Sequence, residues 1–420
     1  MHVLILVGFI FFCTHSPAQK EANIWIFGNN AGLDFNHTPP KPLNTSSMRT
    51  LEGCASIADA NGALLFYTDG LSVWNKTHNL MSNGTGLNGN SSSTQSAVIV
   101  PRPGSKTNYY IFTVDGATGR RKGGYYNEVD MSKDSGRGEV ILKNQPVIQW
   151  SSNRYPFESI GATSHRNGKD FWVCYADKDS TLKSFRVTPS GVITKPVISK
   201  LNNIHRLNNR MTFYMKFSSD NTLMAYSVSG EGVKLLKFDD YTGRFSQPIT
   251  VHPAHAYGVE FSANSKFLYT SVGHQYNVAI HDSLTIVNSR YSYLGSFNRA
   301  WSAVQLGPDQ RIYIAISSRS GRRICMITDP DSAGRACGFF RDTIDVGGTC
   351  MLGLPTFLQT YLNPDFTVAG GCFGDTTWFK ASNPSELDSV VWHMGDSSKP
   401  LLSLAKDSFR LGYVYKHPGT

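Results

Sequence analysis

The stretch Tyr214-Met-Lys-Phe-Ser-Ser-Asp-Asn-Thr-Leu223 returns as Gly258-Val-Glu-Phe-Ser-Ala-Asn-Ser-Lys-Phe267, and again as Ala303-Val-Gln-Leu-Gly-Pro-Asp-Gln-Arg-Ile312. Each copy is an alternating apolar run, a polar turn centred on Asp or Asn, and a second apolar run. That is the pattern of two antiparallel strands joined by a tight turn. The copies begin at 214, 258 and 303, so the period is 44 and then 45 residues. This is too long for one hairpin and matches a four-stranded propeller blade.

Looser copies lie upstream, at Ala55-Ser-Ile-Ala-Asp-Ala-Asn-Gly, Ala97-Val-Ile-Val-Pro-Arg-Pro-Gly and Gly161-Ala-Thr-Ser-His-Arg-Asn-Gly. Aligned on the turn, one position reads Ala55, Ala97, Gly161, Tyr214, Gly258 and Ala303, nearly always a small residue. In a propeller the first strand of each blade faces the central channel, where converging blades leave no room for bulk. Gly353 in Leu352-Gly-Leu-Pro-Thr-Phe offers a seventh small residue. The expected architecture is all-β, a seven-bladed β-propeller with inner strands beginning near Cys54, Ser96, Ile160, Phe213, Tyr257, Ser302 and Leu352. Residues 23–36 would complete the last blade and remove the exposed sheet edges of an open array. An irregular sandwich of similar strands is the alternative.

Val3 to Phe12 is an apolar run too short to span a bilayer, followed by Ser16-Pro-Ala18, so residues 1–18 read as a secretory signal peptide. No later stretch is long enough to cross a membrane as a helix, which leaves a mature chain that is secreted or held at the outer cell surface. The formal charge of +9 is dispersed, with small clusters only at Arg120-Arg-Lys122 and Arg319 to Arg323. Nucleic acid is therefore not an expected partner.

Of the seven cysteines, Cys54 and Cys174 fall in apolar strand patterns and read as buried thiols, while Cys325, Cys337 and Cys350 are the disulfide candidates. No Cys-x-x-Cys pair exists, and His252-Pro-Ala-His255 lacks a third ligand at a telling spacing, so no metal or other cofactor is expected. Gly-x-Ser-x-Gly, Gly-Lys-Ser/Thr and His-Glu-x-x-His motifs are absent. The turns Ser218-Ser-Asp220, Ser262-Ala-Asn264 and Gly307-Pro-Asp309 resemble the Ser-Pro-Asp-Gly-Lys turns of TolB-like and YVTN propellers. In those families the turn is structural, so its Asp residues are not read as catalytic.

After the linker Asn363-Pro364 come Leu387-Asp-Ser-Val-Val-Trp-His-Met-Gly-Asp396 and Tyr413-Val-Tyr-Lys-His-Pro-Gly-Thr420. They resemble the polycystic-kidney-disease (PKD) domain, an immunoglobulin-like sandwich marked by Trp-x-Phe-Gly-Asp and Tyr-x-x-Pro-Gly-Thr. Trp392, Gly395, Asp396, Tyr415, Pro418, Gly419 and Thr420 match, with Met394 in place of Phe. The expected boundaries are 20–362 for the propeller and 364–420 for a PKD domain truncated at its C-terminus. Further matches lie in Trp25-Ile-Phe-Gly-Asn-Asn-Ala-Gly-Leu-Asp-Phe35, Leu51-Glu-Gly-Cys-Ala-Ser-Ile57, Leu65-Phe-Tyr-Thr-Asp-Gly-Leu-Ser-Val-Trp-Asn75, Asn90-Ser-Ser-Ser-Thr-Gln-Ser96 and Gly353-Leu-Pro-Thr-Phe357. With these, the chain resembles secreted Bacteroidota proteins of the gliding-motility, type IX secretion-associated kind, a propeller followed by PKD repeats.

Six and seven places before the turns stand Glu52, Gln95, Glu158, His255 and Trp301. At a channel mouth, two acids, an amide, an imidazole and an indole can hold a ligand by hydrogen bonds and ring stacking, or form a solvated rim. The expected function is a non-catalytic binding or adhesion module, with the propeller as platform and the PKD domain as spacer. Its partner would be an extracellular glycan or a surface protein. The alternative is a propeller enzyme acting on a lactone or glycan.

Overall fold

The computed structural model describes residues 19–116, 122–151, 156–177, 180–201, 213–228, 231–252, 256–294, 302–315, 321–363, 366–369, 375–381, 389–392, 394, 401–404 and 410–415. Successive antiparallel meanders follow one another along the chain in a propeller-like arrangement. The first eight-stranded sheet runs from Ala55–Ala58 to Glu139–Gln149. It is two four-stranded meanders whose outer strands meet at a single parallel pair, Glu139 with Ser82. A five-stranded sheet follows, opening on Pro156–Ser164, and then come three sheets of four, opening on Phe213–Phe217, Val259–Phe261 and Val304–Leu306. A three-stranded sheet, Ile24–Phe27, Ala31–Asp34 and Lys41–Leu43, precedes them all.

The repeated turns explain why these stretches become hairpins. In the Phe213 unit the Ser218 hydroxyl accepts from the Leu223 amide at 2.9 Å and Asp220 accepts from the Thr222 amide at 3.1 Å. In the next unit Ser262 accepts from Phe267 N at 2.9 Å and Asn264 from Lys266 N at 3.0 Å. The third has Gly307 in the serine position, and Asp309 accepts from Arg311 N at 3.3 Å. The residue after each Asp or Asn sits at positive φ, with Asn221 at 59°, Ser265 at 61° and Gln310 at 64°. Local side-chain bonds thus hold the left-handed backbone that a tight turn requires.

The opening strands carry the small residues for a steric reason. A Cβ on Gly258 would stand 2.5 Å from the Ser302 carbonyl oxygen and 2.8 Å from the Val304 amide. One on Gly353 would run into the Glu52 carbonyl. The backbones of consecutive units therefore touch.

Hydrogen bonds tie the opening strands and the residues just before them to one another, some to the neighbouring unit and some to the one beyond it. Gly53 N donates to Ser93 O at 2.9 Å and Gln95 N to Glu158 O at 2.8 Å. The Gln95 side chain clamps Met215, accepting from its amide at 2.8 Å and donating to its carbonyl at 3.2 Å. Lys216 pairs with Glu260 at 2.9 Å and also donates to Gln305. Glu260 accepts from Phe261 N and Leu306 N, each at 2.9 Å. Ala303 N then donates to Leu352 O at 2.8 Å, and Leu352 N to Leu51 O at 3.0 Å, which returns the sequence of contacts to its start.

The closure differs from expectation. Leu352 begins no strand, and the sheet of residues 24–43 pairs within itself rather than with a strand near 352. The link is made by isolated bonds. Asn29 and Thr349 exchange amide-to-carbonyl bonds at 2.9 Å, Gly32 N donates to Val346 O at 2.9 Å, and Thr356 N donates to Cys54 O at 2.8 Å. Gly347, Gly348, Gly353 and Pro355 crowd this segment, and proline has no amide to give a ladder. Elsewhere the opening strands lie close to their expected starts, except that Pro156 precedes Ile160 by several residues.

No disulfide joins two of the described cysteines. Cys325, Cys337 and Cys350 are all buried, and the Cys350 thiol donates to the Met351 carbonyl at 3.4 Å. Beyond residue 365 a three-stranded sheet, Phe366–Ala369, Thr377–Ala381 and Arg410–Tyr413, accompanies the hairpin Ser389–Trp392 with Leu401–Leu404. Trp392 of the hairpin meets Phe379 of the sheet at 5.8 Å between ring centroids, and Met394 is buried with them. Gly395, Asp396, Pro418, Gly419 and Thr420 lie outside the described residues, as does the stretch 1–18. Among the described residues no helix is long and apolar enough to cross a membrane.

Two substitutions test the ring. Glu260→Ala leaves a buried Lys216 ammonium uncompensated and should destabilise by about 3–5 kcal/mol in urea unfolding. Gly258→Leu, which forces bulk against backbone rather than against side chains that can move, should cost at least the usual overpacking loss of roughly 1–3 kcal/mol.

Candidate functional site

Glu52 and Glu158 stand where two of the ring contacts are made. The Glu52 amide donates to Ser91 O at 3.3 Å, and the Glu158 carbonyl accepts from Gln95 N. Both side chains are buried, at 9% and 6% relative exposure. One carboxyl oxygen of Glu52, Oε2, is enclosed and has no hydrogen-bond partner among the described residues. Glu158 accepts from the Thr94 hydroxyl at 3.5 Å. Tyr257, fully enclosed, feels both carboxylates and Thr94, and its ring lies 6.0 Å from that of Tyr214. The Tyr214 hydroxyl is likewise buried without a partner among the described residues.

Burial raises the Glu52 carboxyl to about 8, and repulsion from Glu158 adds to the rise. At neutral pH Glu52 therefore holds its proton. It presents an O–H donor beside a second carboxyl group, an arrangement able to give and accept hydrogen bonds in one small space. Among the described residues no group of three His, Cys, Asp or Glu is placed to hold a metal ion.

The structure thus brings two of the five expected residues together. Gln95 is not available to a ligand, because it is fully buried and both ends of its amide are spent on Met215. Its role is to join two opening strands. His255 and Trp301 lie outside the described residues. Sequence reasoning missed Thr94, Tyr214 and Tyr257. It also passed over Lys216, Glu260 and Gln305, which stand at one repeat position in three successive copies, 44 and 45 residues apart (216, 260, 305). A polar residue at the same place in three apolar strands was the available signal.

No family model matches the chain, and no curated protein matches it. Solved structures do. The computationally designed Ika8 protein is 12% identical, with 87% of this chain and 94% of its own covered, at a TM-score of 0.36. A putative 6-phosphogluconolactonase from Bacteroides fragilis is 9% identical, with 83% and 93% covered, at 0.42. Sqt1 from Chaetomium thermophilum is 14% identical, with 68% and 69% covered, at 0.37. At these values they carry no argument about function, and the propeller-like reading rests on the sheets themselves.

The raised Glu52 carboxyl makes stability pH-dependent with a definite sign. The folded state binds this proton more tightly than the unfolded chain, whose Glu has the ordinary value of 4.5, so the Glu52 contribution falls as pH rises from there to about 8. Glu52→Gln, which stays neutral, should be more stable than the parent at pH 9 by on the order of 3 kcal/mol, with the gap closing toward pH 5. Urea midpoints at the two pH values measure it.

Proposed function

We propose that the protein is a secreted or cell-surface binding module without catalytic activity of its own. A seven-bladed propeller serves as the interaction platform, and the segment after residue 364 is a PKD-type spacer. The seven are counted by dividing the eight-stranded sheet in two and joining residues 24–43 to the closing segment 346–356. An extracellular glycan or a surface protein is the partner, met where Glu52 and Glu158 come together. The single observation supporting this reading is the enclosed Glu52 oxygen left without a partner next to Glu158. A buried polar atom of this kind costs free energy unless something satisfies it.

A second reading draws on the same pair. A carboxyl group held protonated beside a second carboxyl group is the equipment of acid–base catalysis, suited to a lactone or a glycan. The two readings separate by turnover. A glycan array probed with the secreted chain, and with a Glu52→Ala, Glu158→Ala, Trp301→Ala triple variant, should show binding that the variant loses while keeping its circular dichroism. Full binding by the variant would move the site elsewhere. Conversion of a lactone or glycan that falls with the same substitutions would replace the binding reading with the enzymatic one.

A further inference from the structure

A second cluster of polar side chains lies away from the carboxylate pair, where the Phe213 and Val259 sheets adjoin. His252 ends the outer strand Arg244–His252 of the first, and the strand His274–Asn277 belongs to the second. His274 and Tyr276 are two residues apart on that strand and so share a face. The neighbouring strand pairs Ser292 with His274 and Tyr291 with Gln275, and Arg290 immediately precedes it, on the side toward Tyr276.

The side chains converge accordingly. The His252 and His274 rings are 5.2 Å apart, and the His252 ring is 6.1 Å from that of Tyr276. The Tyr276 hydroxyl lies 2.8 Å from His252 Nδ1. If the phenol donates there, the His252 proton is fixed on Nε2. His274 Nδ1 is buried and without a partner among the described residues. Arg290 is exposed and makes no ion pair among the described residues. Its charge reaches all three rings: burial lowers His274 and Arg290 adds to the fall, while burial raises Tyr276 and Arg290 opposes the rise. Burial drives His252 down to about 4, with His274 and Arg290 adding to the fall. Asp282, eight residues before Arg290, is committed to capping the helix Ser283–Asn288, accepting from Thr285 N at 2.7 Å.

This is a concentration of donors with one permanent positive charge and, among the described residues, no paired counter-charge. We propose that His252, His274, Tyr276 and Arg290 form a binding site for a small tetrahedral oxyanion, a phosphate or sulfate group either free or carried as an ester on a sugar. The Arg290 guanidinium supplies the charged fork at the exposed side, and the imidazole N–H groups supply neutral donors farther in. A metal cation is the wrong ligand, since Arg290 repels it and the described residues offer two imidazoles and no acid.

The test is NMR of the imidazole resonances with inorganic sulfate, inorganic phosphate, a sulfated galactose and plain galactose as probes. The expected result is shifts of His252 and His274 with the anionic probes and none with galactose. Arg290→Gln should weaken binding about tenfold or more, and Arg290→Lys should recover part of it. Tighter binding of the sulfated sugar than of sulfate assigns the ester as the ligand, and equal binding assigns the free anion. Glu52→Gln should change none of this, so the outcome stands apart from that of the carboxylate site. The proposal is overturned if no anionic probe shifts the histidines at tens of millimolar, if Arg290→Gln binds as well as the parent, or if zinc ion shifts them in preference to the anions.

Discussion

The contact between neighbouring opening strands governs this molecule. Each unit is a self-contained meander whose internal ladders would form on their own terms. What arranges the units around one another is a short set of bonds at their first strands, and the densest of these is Glu260. A fully buried carboxylate is tolerable only when it is paired and both oxygens are hydrogen-bonded, and Glu260 meets that condition with Lys216, its own strand and the next one. The small residues at Gly258 and Gly353 belong to the same constraint, because those bonds need backbones in contact.

That constraint also produces the candidate site. Where a ring position carries a carboxylate with a cation and amides around it, the group is structural. Glu52 carries the same chemical group without the cation, and burial with Glu158 for a neighbour keeps it protonated. The same side-chain type is therefore a paired fastener at Glu260 and an enclosed, protonated group at Glu52, according to what stands opposite.

The repeat and its turns were legible in the sequence because both depend on local chemistry. A Ser or Gly, an Asp or Asn, and a following residue at positive φ are encoded within a few positions, and they recur with the blade period. Closure was legible only in outline. A glycine- and proline-rich segment can be recognised as lying near the start of the ring, but its partners are more than three hundred residues away in sequence, and isolated bonds to Asn29 and Cys54 leave no periodic trace. Gln95 shows the limit for the site. Its spacing relative to the turn is within one place of that of Glu158, yet the amide is consumed by Met215, and no pattern in one strand reveals what another strand demands.

The closing segment also sets an order of events for a chain made from its N-terminus. Residues 24–43 and the strand opened by Ala55 exist long before 346–356 emerges, and until then their exposed amides and carbonyls have only solvent or other chains to bond. Bonds that span such separations are the slowest to form, since loop closure must be met before any contact rewards it. A nascent chain is therefore an open fan with sticky borders, and the interval before closure is when it is most exposed to misassembly with its own kind.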